Sequence, residues 1–160
     1  MMGYWGREEA TAETIVDGLL HTGDVGYIDE EGYTFIIDRT KDLVLVGGFN
    51  VYPRHVEEEI YSHEAVEEVT VIGIPDDYRG QSVKAFVKLR EGQPLTEEAL
   101  KEFLADKLAK HAIPHQIEFR GELPKTMIGK LSKKELVAEE QEKYESAKAA
   151  RESNAGETAS

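Results

Sequence analysis

The sequence predicts an α+β domain, a few strands covered by two or three helices over residues 41–137, preceded by a β-hairpin. Three observations carry this. Two β-branched runs, residues 66–74 and 82–89, read as strands. Leu100, Phe103, Leu104 and Leu108 recur at helical spacing and make one apolar stripe. Residues 25–28 and 33–37 alternate in polarity around a DEEG turn at residues 29–32, the pattern of a hairpin.

In chain order, residues 10–16 (ATAETIV) are expected to form a short helix after the turn at residues 3–6. Its few apolar side chains predict packing on something outside this chain. After the hairpin comes DRTKDLVLVGGFNVYPRHVEEE at residues 38–59. It reads as a charged turn, an apolar strand at residues 43–46, a glycine pair, and a helix opened by Pro53 at residues 53–62. Gly47 and Gly48 supply positive φ and let another backbone or a narrow ligand come close. The strand at residues 66–74 is expected to end at Pro75. Thr96, with Glu97 and Glu98 behind it, caps a helix that ends at Ile113-Pro114. Residues 116–119 read as a short edge strand, and Ser132 with Glu135 as a capping box that starts the last helix. Residues 138–160 have no apolar stripe and are expected to form a polar helical or disordered tail.

Composition narrows the chemistry. At 160 residues, 40% hydrophobic and 32% charged, the chain is enough for one core, or for one small domain plus a fragment of another. With no cysteine there is no disulfide framework and no thiolate nucleophile. A net charge of −13 opposes nucleic acid as a partner, because phosphate binding needs a basic face. The absence of a signal-peptide pattern and of a long apolar run predicts a cytoplasmic protein. The charge is uneven: residues 55–78 hold eight carboxylates and no Lys or Arg, whereas residues 110–134 hold six Lys or Arg against two acids. That basic stretch is either a solvated face or a face that meets phosphate. His111 and His115 stand four apart, but Pro114 breaks the helical face a metal would need, and Glu57–Glu59 reads as a solvated helix face. No metal site is expected.

Four blocks taken in order resemble the adenylate-forming enzymes, the group of acyl-CoA synthetases, luciferases and peptide-synthetase adenylation domains. They are GYWGREEATAE with DGLLHTGDVGYID (residues 3–29), the residue 38–59 run, VIGIPDDYRGQSVKAFV (residues 71–87) and ELPKTMIGKLSKKEL (residues 122–136). The GFNVYP form at residues 48–53 looks most like the long- and medium-chain fatty acid CoA ligases. The resemblance implies that residues 1–40 are the end of a large N-terminal adenylation domain, absent here, and residues 41–137 the small mobile C-terminal domain. The parent reaction it implies joins a fatty acid to CoA with ATP and Mg2+, through acyl-AMP, and this piece alone is expected to be inactive. A non-catalytic binding module that keeps the fold is the alternative.

The resemblance also implies roles that local pattern alone does not demand. Asp24, otherwise an Asx-type turn residue, becomes the carboxylate that accepts from the ribose hydroxyls of ATP. Arg39, otherwise a surface ion-pair partner, joins it there. Lys41, otherwise a solvated lysine, becomes the hinge between domains. Gly47, Gly48 and Phe49 line the passage for CoA. Lys130, otherwise one more exposed lysine, enters the active site for adenylation, where an ammonium bridges two repelling anions. A lysine that swings out of solvent is also open to a lysine acyltransferase. Members of the family often carry a basic Tyr-Lys-Val-Pro-Lys run where this chain has His111 to His115, a departure that weakens this stretch as a CoA phosphate site.

Overall fold

The computed structural model describes residues 1–157, with side chains through Arg151. The chain divides into two compact units, Met1–Lys41 and a second from Asp42 onward.

The first unit has helix α1 (Glu8–Thr14), a small hairpin of β1 (Ile15–Val16) and β2 (Leu19–Leu20), and a longer one of β3 (Asp24–Ile28) and β4 (Thr34–Arg39). Asp17 and Gly18 turn the first hairpin with φ of 52° and 78°, the positive values a two-residue hairpin loop needs. In the second, Asp29 Oδ1 accepts from the backbone N–H of Glu31 and Tyr33 and fixes the expected turn. A bulge between Val25 and Gly26 brings the backbone so close that a Cβ on Gly26 would lie 2.3 Å from the Phe35 carbonyl oxygen. No apolar residue of this unit is buried; Trp5, Leu19, Tyr27, Ile28 and Ile36 are exposed.

A 3-10 turn, Thr40–Asp42, leads to the second unit. Here β5 (Val44–Val46), β6 (Phe49–Val51), β7 (Val66–Asp76), β8 (Gly80–Leu89) and β9 (Gln116–Phe119) form one sheet in the order β6-β5-β8-β7, with β9 parallel to β8. Helices α2 (Pro53–Tyr61) and α3 (Glu97–Ala105) bring Val56, Ile60, Leu100 and Leu104 against Val69, Val71, Val83 and Val87 of the sheet. Because strand side chains alternate, Ile72, Ile74 and Phe86 face the other way, where Leu136 of helix α4 (Lys133–Glu157) and Leu123 cover them. β8 is central, buried on both faces from Ser82 to Val87. This is the mixed α/β architecture expected, with Thr96 capping α3 by accepting from the Ala99 N–H.

Three local expectations are corrected, and one open alternative is decided. The residue 43–46 strand continues past the glycine pair into a second strand, β6, before Pro53. β7 does not stop before Pro75 but pairs it with Gln81; β7 is an edge strand, where a missing N–H costs no ladder bond. α3 ends at Ala105, and Leu108 and Ala112 reach the core through successive turns instead of a longer helix. The polar stretch after Val137 continues α4 to Glu157, although residues 158–160 lie outside the described residues. A helix without an apolar stripe holds when its charges find partners, and here Glu139, Glu140, Tyr144 and Arg151 all do.

Candidate functional site

In the first unit, Asp24 opens β3 and Arg39 closes β4, so the register makes them cross-strand partners. Arg39 Nε lies 3.3 Å from Asp24 Oδ1, with most of the guanidinium in solvent. Such an exposed pair contributes little to stability, but it aims the carboxylate. The hairpin base around it is tied down: Gly23 O accepts from both the N–H (2.8 Å) and the hydroxyl (3.0 Å) of Thr40. Asp24 donates its own N–H to Thr22 Oγ1, an ST-type turn in place of the Asx form. Lys41 is exposed in the 3-10 turn, and the boundary between the two units falls immediately after it.

In the second unit, Gly47 and Gly48 are the two-residue loop between β5 and β6, with φ of 56° and 89° and Val46 opposite Phe49. A Cβ at either glycine would meet nothing within 4 Å, so within this chain the turn conformation, rather than crowding, is what requires glycine. The loop is braced: Gly47 N–H donates to Arg79 O (3.0 Å), and Leu45 N–H to Gln81 Oε1 (2.9 Å). Asp76 holds the opposing turn by accepting from the N–H of Arg79 and Tyr78, and these two bonds keep its carboxyl below the usual carboxylate range. Phe49 stacks on His111, ring centroids 4.6 Å apart. Sequence reasoning missed this contact; the departure at His111 was the only signal for it. His115 is engaged through its backbone, its N–H on Val83 O and its carbonyl accepting from Lys101 Nζ. Among the described residues no group of three or more His, Cys, Asp or Glu is placed to hold a metal. None of the helices there is long and apolar enough to cross a membrane.

Lys130 lies at the end of a tight hairpin whose feet, Lys125 and Leu131, form an antiparallel bridge. Thr126 N–H donates to Lys130 O (2.7 Å), Gly129 N–H to Thr126 O (2.8 Å), and Lys130 N–H to Thr126 Oγ1 (3.2 Å). Gly129, at φ 78°, makes that closure possible. Met127 and Ile128 project from the tip into solvent, and the Lys130 side chain is exposed beside them. The backbone of this lysine is fixed while its ammonium is free to reach outward. The glutamates expected on a solvated face are partly structural: Glu57 accepts from the Val71 N–H (2.9 Å) on the edge of β7 and pairs with Lys133 (2.9 Å).

Residues 55–130 match the AMP-binding enzyme C-terminal domain. The chain is 50% identical over 144 residues to a long-chain-fatty-acid–CoA ligase of Bacillus subtilis, covering 90% of this chain and 26% of that protein. A Salmonella typhimurium protein of the same name is 46% identical over 136 residues, 85% of this chain and 24% of its own length. The fold superimposes on ATP-bound MatB from Rhodopseudomonas palustris with a TM-score of 0.79 and 40% identity, over 85% of this chain and 27% of that one. The chain thus spans about a quarter of the length of the curated relatives it matches. Through residues 55–130, the chain carries the C-terminal domain of the AMP-binding enzymes.

Proposed function

We propose that this chain is the C-terminal portion of an ATP-dependent fatty acid–CoA ligase, and that Lys130 serves its adenylation step. The observation that carries the reading is Lys130 itself: a backbone pinned by two hydrogen bonds to Thr126 presents an ammonium that has no carboxylate within ion-pairing reach among the described residues. In the reaction, a carboxylate oxygen attacks the α-phosphorus of Mg-ATP, the bond to the bridging oxygen breaks, and pyrophosphate leaves. The CoA sulfur then attacks the acyl carbon, the thiol proton goes to solvent, and AMP departs. Mg2+ enters with ATP as substrate. Lys130 offsets the charge of the two approaching anions in the first step. Asp24 and Arg39 receive the ribose, Lys41 is the pivot, and the Gly47–Phe49 turn meets the CoA arm. The first unit, with no buried apolar side chain, belongs on a large adenylation domain upstream, and without that domain the chain is inactive. The exposed Lys130 ammonium also suits a lysine acyltransferase, which would remove its charge.

The test is Lys130→Ala in the full-length enzyme. Acyl-AMP formation, followed by pyrophosphate release, should fall by about two orders of magnitude, roughly 3 kcal/mol of transition-state stabilisation. Thioester formation from supplied acyl-AMP should continue at the normal rate. Normal adenylation, or equal loss of both steps, would remove Lys130 from the chemistry.

A further inference from the structure

A hairpin that delivers one ammonium to a reacting centre is useful only if its base is held. One foot of the Lys130 hairpin is Lys125, a second lysine, Lys133, opens α4 two residues past the other foot, Leu131, and both lysines reach across to other elements. Lys125 Nζ is in ion-pair contact with Glu68 Oε1 on β7. Lys133 Nζ lies 2.9 Å from Glu57 Oε1 on α2. The partners are themselves fixed. Glu57 is locked by the Val71 N–H, and Glu68 is largely buried, its Oε2 shielded from solvent and without a hydrogen-bond partner. Of the three lysines, only Lys130 is without a carboxylate partner among the described residues.

We propose that Lys125 and Lys133 are positioning residues for Lys130, two straps that set the angle at which the hairpin leaves the sheet. This rests on the reading of Lys130 given above. Catalytic electrostatics are steep in distance, so a loosened base should lower the rate of the step that uses the ammonium and leave the other step alone. The charge of Lys125 has a second duty, since removing it leaves Glu68 as a largely buried carboxylate with no partner.

In the full-length enzyme, Lys125→Met should lower kcat for acyl-AMP formation about tenfold, a fraction of what loss of the ammonium itself costs, with KM for ATP little changed. Thioester formation from supplied acyl-AMP should be unchanged. Lys125→Arg should retain most of the rate, and the exchange Lys125→Glu with Glu68→Lys should recover part of it. If Lys125→Met does not fold, Lys133→Met replaces it, because Glu57 keeps its bond to Val71. Parallel loss of both half-reactions with a lowered Tm would mark a merely structural role and overturn the proposal, as would normal adenylation. Normal adenylation in Lys125→Met together with a deficient Lys130→Ala would sink the straps alone, whereas normal adenylation in Lys130→Ala would sink the underlying reading.

Discussion

The Lys84 ammonium lies 2.9 Å from the Glu140 carboxylate, and both side chains are more than nine-tenths buried, at 7% and 8% exposure. Lys84 sits mid-way along the central strand β8, on the face covered by α4, and Glu118 of β9 accepts from it as well at 2.7 Å. Around them Arg120 pairs with Glu118 and Glu139, and Lys143 with Glu139 and Glu140. The Lys84 and Arg120 cations lie 4.9 and 4.6 Å from the centroid of the Phe86 ring. This network docks a helix that has almost no apolar stripe of its own.

Removing Lys84 leaves the buried Glu140 with only the half-exposed Lys143, and Glu118 with Arg120. Lys84→Met should therefore destabilise the second unit by about 3–5 kcal/mol, because Glu140 loses its buried partner. Lys84→Met with Glu140→Leu should recover much of that, since an apolar pair has no charge to desolvate. Urea unfolding followed by far-UV circular dichroism measures both, and a single-variant loss under about 1 kcal/mol would mean that water reaches the pair.

Acid should loosen the same network. The bidentate hydrogen bond from Arg120, with a further one from Lys143, holds the Glu139 carboxyl at about 2, below the 4.5 of an unperturbed glutamate. Burial pushes the Glu118 carboxyl up, but bonds from Lys84 and Arg120 outweigh it and leave it lowered too. A carboxyl depressed in the folded state contributes stability above its unfolded value and loses it as pH falls toward its folded one. Thermal midpoints should drop between pH 4.5 and about 2, and less steeply in Glu139→Gln. Parallel slopes would show that Glu139 is not the responsible group.

At the Gly47-Gly48 turn, Gly48→Leu in the full-length enzyme should spare acyl-AMP formation and block thioester formation. The positive φ of 89° adds strain for any larger residue. Gly48→Asn, which tolerates left-handed backbone at less cost, separates the two effects and should retain more thioester formation. If both half-reactions fall together in both variants, the defect is one of folding.

Lys41→Pro tests the pivot. Proline fixes φ near −65°, so the full-length variant should perform one half-reaction and not the other. Normal rates for both would move the pivot away from Lys41.

Hydrogen bonding and periodicity made much of this fold legible in the chain. The DEEG turn closes on Asp29 Oδ1, Thr96 caps α3, and Gln116–Phe119 is the edge strand its pattern announced. Each depends on residues a few positions apart, or on alternation along one strand. β6 was not legible, because a three-residue strand between a glycine pair and the Tyr52-Pro53 helix start is too short to show a period. Nor was the passage of β7 through Pro75, which only the position of the strand at the sheet edge allows.

The candidate site divides along the same line. It was the resemblance carried by the four ordered blocks, and not local pattern, that singled out Asp24, Arg39, Lys41, Gly47, Gly48, Phe49 and Lys130, whereas the turn chemistry of Gly47, Gly48 and Gly129 follows from glycine alone. The surroundings of these residues did not follow. Glu68 meets Lys125 across 57 residues, Asp77 meets Tyr144 across 67, and Phe49 finds His111 across a comparable stretch. A charge has no periodicity that reveals its partner, so a lysine read from sequence is a solvated lysine until the fold brings a carboxylate to it. The chain by itself determined most of the helices, strands and turns, because those rest on local backbone preference and residue type. Only the tertiary structure decided which charges of the described residues are tied down and which are left free, because that depends on distances between elements far apart in the chain.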